Sequence, residues 1–309
     1  MQQLTLGKKI NFLLSYAGLK ALSTVFILLP WNAAIKLGMA STGLAAKLMN
    51  KRFKKNMQSI ALALPEKTEQ EVYDICMDSW RNMGRIAAEF VKCCRMSKEE
   101  LAAKAGFKNL HFVMDRFKNK EACIIHTGHF TNWEVFGIAV SAMGVNKAVI
   151  AAGVKNPYID DEIERMRNIH GGTVIGTDNP FFKCVKWLKK GLPIGILSDQ
   201  SSYKSAVYRK FFGRYCACSP LTPLLSLKLQ IPVIPAKIYR ENGKIITEFL
   251  EPIYPQKVYS QEAVEEYIDV LNKYYEDWIK EDPSSWLWAH NRWKKENEAL
   301  EWVAQHENK

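Results

Sequence analysis

The sequence has no uncharged stretch of the length that crosses a bilayer. The longest one extends over fifteen residues, from Ala21 to Ile35, and contains Pro30, whereas a spanning helix needs about twenty apolar residues. A clean single span is therefore doubtful, and we expect attachment to a membrane by insertion or by interfacial packing.

The sequence also lacks the patterns of several other classes of protein. Its seven cysteines are odd in number, which indicates reduced thiols and not a disulfide framework. Cys216 and Cys218 have no second pair at metal-binding spacing, so we expect a structural role for them. No Gly-x-Ser-x-Gly nucleophile elbow is present, which argues against a serine acyl-enzyme.

Acidic residues are fewer than basic ones. The 309 residues include 32 acidic and 43 basic side chains, with a net charge of +11, and this predicts an anionic partner. Residues 208–214 mix cations with aromatic side chains, but no recognition helix, RNA-binding sheet motif or zinc finger accompanies them. We therefore expect no nucleic-acid partner, which leaves an anionic membrane surface or a phosphorylated substrate.

The first fifty residues form a distinct apolar region. Lys9 and Lys20 fall on nearly one side of a helix, as do Lys36 and Lys47, and Pro30 separates the two pairs. The pattern predicts two amphipathic helices whose lysines reach the lipid phosphates, with an ordinary pair of core helices as the alternative. We therefore divide the chain into membrane-anchoring or interfacial helices over 1–50 and an α/β domain over 51–309, which opens on a basic cluster suited to an anionic leaflet.

Short apolar segments alternate with helix-like segments through the middle of the chain. Strand-like segments at 148–150, 173–175 and 193–198 are separated by helix-like segments at 156–170 and 179–190. This alternation predicts an α/β fold with a mainly parallel central sheet flanked by helices on both faces, after a helical amino-terminal membrane-anchoring segment. Ligands of such folds bind at the carboxyl ends of the strands.

The stretch from Ile124 to Glu134 is where we expect the catalytic residues. An apolar strand-like run ends at Gly128, and helical spacing begins after Asn132. His129 and Glu134 are five residues apart, so they would face about 140° away from each other on one helix. If they cooperate, His129 must lie in the loop. Glu134, in the first turn of the helix, could then accept the Nδ1 proton and leave Nε2 as a base.

Two other interpretations of this stretch remain open. His129 and Glu134 could be two polar residues of an ordinary strand-to-helix loop, without a chemical role. Alternatively, His126, His129 and Glu134 could bind zinc, although their spacing is not that of known zinc helices.

Further polar residues occupy positions where a strand or helix is predicted to end. Asp199 and Gln200 follow the strand-like segment 193–198, and Arg167 precedes Gly171 at the end of a helix-like segment. Near the carboxyl terminus, Arg292 lies in a segment with three tryptophans at 286, 288 and 293, a density that predicts a packed corner near the site.

Taken together, these segments resemble the lipid A late acyltransferases, the lauroyl/myristoyl acyltransferase family of the lysophospholipid acyltransferase group. The resemblance rests on four segments in the family's order, which cover nearly the whole chain. They are the His129-to-Glu134 motif, Arg167 with Gly171, Asp199-Gln200 followed by Phe211-Phe212-Gly213, and the segment 288–293.

The resemblance implies an α/β acyltransferase on the cytoplasmic face of the inner membrane, with no metal or bound cofactor. The expected donor is an acyl carrier protein thioester, and the expected acceptor is a hydroxyl of a lipid A precursor. An acyltransferase of another glycolipid or phospholipid with an acyl-CoA donor is the alternative within the class. A non-catalytic basic protein that binds membranes or nucleic acid is the alternative outside it.

The mechanism expected from this resemblance is direct transfer without an acyl-enzyme. His129 acts as the general base and Glu134 orients it, while His126 supports the loop. The substrate-binding residues are expected to be Arg167, Asn132, Asp199, Gln200 and Arg292.

Overall fold

The computed structural model describes residues 5–202 and 206–306, so the ends of both predicted domains, 1–4 and 307–309, lie outside the described residues. The helices are α1 (Leu6–Leu28), α2 (Trp31–Leu48), α3 (Asn50–Ala63), α4 (Glu69–Cys93), α5 (Lys98–Ala102), α6 (His111–Lys118), α7 (Trp133–Ala142), α8 (Pro157–Arg167), α9 (Pro180–Leu188), α10 (Leu221–Leu229), α11 (Gln261–Glu281) and α12 (Glu296–His306). The strands are β1 (Ala105–Lys108), β2 (Ile124–Thr127), β3 (Ala148–Ala151), β4 (Thr173–Gly176), β5 (Ile194–Leu197), β6 (Val207–Phe211), β7 (Arg214–Cys218), β8 (Val233–Glu241) and β9 (Lys244–Phe249).

Seven strands form one sheet in the order β1-β9-β8-β2-β5-β3-β4. All neighbours in this sheet are parallel except β8 and β9, whose antiparallel pairing is closed by a turn at Asn242 and Gly243, both with positive φ. The predicted mainly parallel sheet is thus confirmed. Strands β6 and β7 form a separate hairpin.

Helices cover both faces of the sheet. The connections β2-α7-β3 and β3-α8-β4 advance across the sheet in one direction, whereas β4-α9-β5 returns. Because such crossovers are right-handed, α9 lies on the opposite face from α7 and α8. Contacts agree with this arrangement, since α4, α5 and α8 pack against α7, and α10 packs against both α9 and α11.

The order of β2 and β5 in the sheet positions the site. Ile124 pairs with Ile194 and Thr127 pairs with Leu197 in a parallel register, so the residues that follow both strands emerge at the same edge. Strand β2 is fully buried, which explains why it begins with the apolar, β-branched pair Ile124 and Ile125.

The amino-terminal helices begin and end close to their predicted positions. Helix α1 is the one helix in the described residues that is long and apolar enough to cross a membrane, with a mean hydropathy of 1.5, and it is only 6% buried. Pro30 separates it from α2, as predicted. Helix α2 packs closely on α4 where Gly38 meets Gly84, because a Cβ at Gly84 would lie 1.9 Å from the Gly38 carbonyl oxygen.

Several elements were missed in the sequence or given different ends. The capping-box pattern at 97–100 predicts a helix over about 98–105, but the helix stops at Ala102, and Ala105 begins strand β1 instead. The β6–β7 hairpin lies in the segment that the sequence marked only by its cations and aromatics. The sequence patterns at 68–71 and 97–100 match capping boxes and predict helices that start at about Glu69 and Lys98. Both capping boxes are formed, which confirms the starts of α4 and α5.

Candidate active site

The loop between β2 and α7 holds His129 at the carboxyl edge of the sheet. Gly128 is required there, because a Cβ at this position would lie 2.8 Å from Phe130 Cε2 and 3.0 Å from Asp199 Cγ. Asn132 caps α7 by accepting a hydrogen bond from the Val135 amide at 3.1 Å. The predicted strand, loop and helix are therefore confirmed, with His129 in the loop.

The Trp-rich segment near the carboxyl terminus is hydrogen-bonded to the backbone of this loop. Phe130 forms a β-bridge with Trp286, and the Leu287 amide donates to the His129 carbonyl at 3.1 Å. The Thr131 amide donates to the Ser285 carbonyl at 2.9 Å. These backbone contacts explain how Thr131 keeps a positive φ of 50°, a conformation that costs free energy in a non-glycine residue.

Asp199 is the carboxylate that contacts the His129 ring. Its Oδ1 lies 2.8 Å from His129 Nδ1, and its Oδ2 accepts hydrogen bonds from the His129 amide at 2.9 Å and from the Trp286 indole at 2.8 Å. The Asp199 side chain is 1% exposed and that of His129 is 19% exposed. Asp199 is therefore enclosed by the protein, and only His129 of the pair is accessible to solvent.

The carboxyl group of Asp199 is ionised despite its burial. Burial by itself raises the pKa, but the charge and hydrogen bonds of His129 together with the Trp286 indole lower the pKa of Asp199 to about 2. An ionised acceptor at Nδ1 favours the tautomer that carries its proton on Nδ1 and a lone pair on Nε2.

Glu134 does not occupy the position expected for it. Its two carboxylate oxygens accept hydrogen bonds from Arg167, from Nε at 2.9 Å and from Nη2 at 2.5 Å. The expected contact between Glu134 and His129 Nδ1 is thus wrong, because Asp199 holds that nitrogen. Glu134 lies in the first turn of α7 and is matched there by the bidentate guanidinium of Arg167.

A cavity of about 870 Å³ opens beside the exposed side of His129. Trp133, Glu134, Arg167 and Gln200 contribute to its wall. Most of the remaining lining is apolar or small, and includes Gly137, Ile138, Val149, Ile150, Phe181 and Leu224. A cavity of this size and lining suits an extended apolar ligand.

The cavity is lined from both faces of the sheet. Lys147 and Val149 share the face that packs on α7, since a Cβ at Gly137 would lie 3.9 Å from Lys147 Nζ. Ile150 points to the opposite face because side chains alternate along a strand, and α9 and α10 supply Phe181 and Leu224 on that side. The two parts of the cavity differ in charge. Glu134, Lys147 and Arg167 line the α7 side, whereas the other side is lined by uncharged side chains, both apolar and polar.

Gln200 also contacts the His129 ring. Its Nε2 lies 3.4 Å from Nδ1 and 3.3 Å from Nε2 of the imidazole, so it is not aimed at either nitrogen alone. Its carbonyl oxygen accepts a hydrogen bond from Arg292 Nη1 at 2.6 Å. The main chain of Gln200 is therefore fixed while its amide faces the cavity.

Besides Asp199, which is buried against His129 and does not line the cavity, two further residues expected to bind substrate are placed inside the protein instead. Arg292 is 1% exposed and donates to the carbonyls of Gln200 and Ala217 and to Asn272. Asn132 is fully buried and donates to Glu89 at 2.9 Å. Neither residue lines the cavity, so both hold the surrounding main chain in place.

His126 is buried on β2 and lies away from the cavity lining. Its ring stacks on Tyr275 with centroids 5.0 Å apart, and burial lowers its pKa to about 3. The zinc interpretation needs His126, His129 and Glu134 together. Within 5–202 and 206–306, no group of three or more His, Cys, Asp or Glu side chains is arranged to hold a metal.

Lys147 is a site residue that the sequence did not reveal. It immediately precedes β3, is 2% exposed, and lines the cavity. The only local signal was a single lysine in front of a short apolar run, a pattern that ordinarily marks an exposed strand end.

A histidine held against a buried carboxylate, beside a largely apolar cavity, is an arrangement typical of the class of enzymes that use a histidine as general base on apolar substrates. The comparisons with known proteins agree with that class. The family of bacterial lipid A biosynthesis acyltransferases matches residues 6–295, and the chain belongs to this family. It is therefore a lipid O-acyltransferase.

A solved structure with detectable similarity is the 1-acyl-sn-glycerophosphate (LPA) acyltransferase PlsC from Thermotoga maritima. It is 14% identical, covers 77% of this chain and 98% of its own, and has a TM-score of 0.36. No curated protein matches the chain.

Proposed function

We propose that this enzyme moves an acyl chain from an acyl carrier protein thioester to a hydroxyl of a lipid A precursor, with His129 as general base and Asp199 as its carboxylate partner. The main observation in support of this dyad is the 2.8 Å contact between His129 Nδ1 and Asp199 Oδ1 beside the cavity. The family membership supports the lipid acceptor, and the basic surface suits an acidic carrier protein.

The proposed reaction is a single displacement. His129 Nε2 takes the proton of the acceptor hydroxyl as its oxygen attacks the thioester carbonyl carbon. The tetrahedral intermediate then expels the thiolate by breaking the carbon–sulfur bond, and the His129 imidazolium returns the proton to sulfur. Asp199 stabilises the transient imidazolium, because its carboxylate is buried and already ionised.

The seven cysteines support a mechanism without a covalent intermediate. All of them are buried, and none lines the cavity beside His129. Burial raises the pKa of Cys76, Cys93 and Cys123 to about 12. Such thiols are weak nucleophiles at neutral pH. Cys218 differs, because its contact with the Cys216 thiol lowers its pKa to about 6, but it is buried and does not line the cavity.

Glu134 and Arg167 fit a role in substrate placement. Their bidentate pair lies in the wall of the cavity, and the Gln200 side chain, also in that wall, contacts the imidazole of His129. We assign Arg167 and Gln200 to substrate binding and Glu134 to holding Arg167.

The exposed apolar surface of the amino-terminal helices supports attachment to the cytoplasmic face of the inner membrane. Leu6, Leu14 and Leu28 of α1 are between 65% and 78% exposed, more apolar surface than a solvated helix presents. The α/β domain is not separate from this anchor, because Lys92 on α4 donates to the carbonyls of Phe26, Ile27 and Leu29.

The test is an acyl-transfer assay with purified full-length enzyme, an acyl carrier protein thioester and a lipid A precursor, with the product identified by mass spectrometry. Wild type should add one acyl chain. His129→Gln and Asp199→Asn should each lower kcat by about 10³-fold or more, as losses within such relays do. His111→Gln alters an exposed histidine at the start of α6 and serves as the matched control.

Three results would separate the alternatives. Transfer from acyl-CoA at a higher kcat/KM than from the carrier thioester would overturn the proposed donor. Transfer to a phospholipid but not to the lipid A precursor would overturn the acceptor. Near wild-type turnover by both His129→Gln and Asp199→Asn would overturn the dyad.

A further inference from the structure

Lys147 places a buried positive charge in the wall of the cavity. The residue is 2% exposed, and its Nζ lies close to Gly137, whose missing side chain leaves room in front of the amine. Within the described residues, Lys147 Nζ takes part in no hydrogen bond or ion pair. A buried ammonium in this condition is costly unless a ligand provides its partner.

The nearest charges do not provide that partner. Glu134 and Arg167 are the charged groups that influence Lys147, the first favouring its charge and the second opposing it. Both oxygens of Glu134 are bound by Arg167, so those two charges largely cancel. The charge of Lys147 is therefore in excess.

Lys147 is still a cation at neutral pH. Burial lowers its pKa to about 8, below the ordinary value of a lysine but above 7. The cavity thus retains one net positive charge on its α7 side. Arg167 also lines the cavity, and its Nη1 makes no hydrogen bond within residues 5–202 and 206–306, so the cavity wall has a second free donor.

We infer that Lys147 and the free edge of Arg167 form a subsite for a phosphate group on the α7 side of the cavity. The inference rests on the proposed acyl transfer in one respect, since the phosphate would belong to one of its two substrates. An ammonium and a guanidinium edge together suit a tetrahedral anion with several acceptor oxygens.

The division of the cavity explains why such a subsite would matter. The apolar part on the α9 and α10 side receives the acyl chain, and the charged part receives the phosphate. The two ends of such a substrate would be bound on different sides of His129. This would hold the reactive atom between them at the dyad. The phosphate can come from the donor's phosphopantetheine arm or from the acceptor headgroup, and the chemistry of the subsite is the same for both.

Binding of inorganic phosphate to the full-length, substrate-free enzyme tests the subsite directly by calorimetry. Wild type should bind, Lys147→Met should weaken binding about 10- to 100-fold, and Lys147→Arg should restore most of it. Lys189→Met removes an exposed lysine beyond α9 and should bind like wild type. Equal phosphate affinity in wild type and Lys147→Met would overturn the inference.

Thermal unfolding separates a binding role from a structural one. An unpartnered buried cation destabilises the free protein, so Lys147→Met should raise the Tm in the absence of phosphate and abolish the rise that phosphate gives to wild type. A variant that melts lower than wild type or does not fold would show that Lys147 is a structural counter-charge, and this would contradict the subsite.

Kinetics identify which substrate supplies the phosphate. Lys147→Met should raise KM about 10-fold or more for the carrier-bound donor but not for an acyl N-acetylcysteamine thioester, which lacks phosphate, if the donor is the source. If the acceptor is the source, the same rise should appear for the phosphorylated acceptor but not for its dephosphorylated form. An unchanged KM for both phosphorylated substrates would overturn the inference.

The two proposals fail in different ways. Phosphate binding that depends on Lys147 in a protein without acyl transfer would overturn the proposed function and leave the subsite standing. Acyl transfer with no phosphate binding would do the reverse.

Discussion

Asp199 illustrates how one residue can serve several structural roles. Its carboxylate accepts hydrogen bonds from the amide and the ring of His129 and from the indole of Trp286. The aspartate therefore fixes the loop backbone, the rotation of the imidazole and the position of the Trp-rich segment together. A group so constrained loses little entropy on reaching the reactive geometry.

Lys147 gives a prediction about the pH dependence of stability. Its pKa falls from 10.5 to about 8 in the folded protein, so the unfolded chain binds more protons between these two pH values. The free energy of unfolding should therefore rise with pH through this window as the buried penalty is relieved, by up to about 3 kcal/mol.

Comparison with Lys147→Met isolates this contribution. The variant should be more stable than wild type at pH 7, and denaturant titrations should show the difference shrinking from pH 8 to pH 10.5. Glu134 and Arg167, the charged groups that act on Lys147, are unchanged in the variant. A difference that stays constant across this window would contradict the account.

Single residues also show what sequence could and could not predict. The position of His129 in a loop followed from Gly128 and the capping residue Asn132, because both signals are local. The choice of Asp199 over Glu134 as its partner depended on β2 and β5 being neighbours in the sheet. Asp199 lies seventy residues along the chain from His129, and no local spacing encodes that contact.

At the scale of the elements, the crossing of α2 and α4 depends on two glycines. Gly84→Ala would place a Cβ 1.9 Å from the Gly38 carbonyl oxygen and 2.6 Å from Thr42 Oγ1. The gain in helix propensity from alanine, about 1 kcal/mol, is outweighed by the separation that the helices must undergo. We expect a net loss of about 1–3 kcal/mol in the free energy of unfolding.

The matched control for this prediction is Gly18→Ala. Gly18 lies in the middle of α1, and a Cβ there meets no atom within 4 Å, so helix propensity acts alone. Denaturant titration should show Gly18→Ala equal to or more stable than wild type. Equal destabilisation by both substitutions would indicate that the close crossing is not responsible.

The elements that were predicted well are those with strong local signals. Capping-box patterns at Thr68 and Ser97 predict two helix starts. The turn sequence Glu241-Asn242-Gly243 between two strand-like segments predicts a hairpin, which β8 and β9 form. Strand β1 was missed because its four residues pair with β9, a partner more than one hundred residues away. The residues of β1 are similar in composition to those of the preceding helix α5. Only the pairing with β9 distinguishes the strand from the helix.

At the scale of the whole molecule, the exposed apolar surface of α1 predicts membrane binding. Leu14 is 65% exposed and Leu28 is 78% exposed. The pair Leu14→Glu and Leu28→Glu should reduce cosedimentation with phosphatidylglycerol-containing vesicles about 10-fold or more, since each buried leucine contributes about 1.5–3 kcal/mol.

Leu300→Glu gives the control for membrane binding. Leu300 is 50% exposed on α12, so the same chemical change is made on a different helix. Vesicle binding that falls equally in both proteins would point to a general effect of added negative charge. Binding that survives the double substitution would contradict attachment through α1.

The fold and the site depend on each other across the whole chain. The amino-terminal α4, the central β2 and β5, and the carboxyl-terminal Trp286 all contact the His129 loop or its neighbours. Asn82 on α4, for example, donates to the carbonyls of Thr131 and Ser285. The α/β class followed from the alternation of segments, whereas this convergence required the packed structure.

The most direct measurement of the central claim is the tautomeric state of His129, observed by ¹⁵N NMR in wild type, Asp199→Asn and Glu134→Gln. The account predicts a proton on Nδ1 and a lone pair on Nε2 in wild type and in Glu134→Gln, and a loss of that preference in Asp199→Asn. A tautomer that changes with Glu134→Gln but not with Asp199→Asn would contradict Asp199 as the partner of the catalytic base.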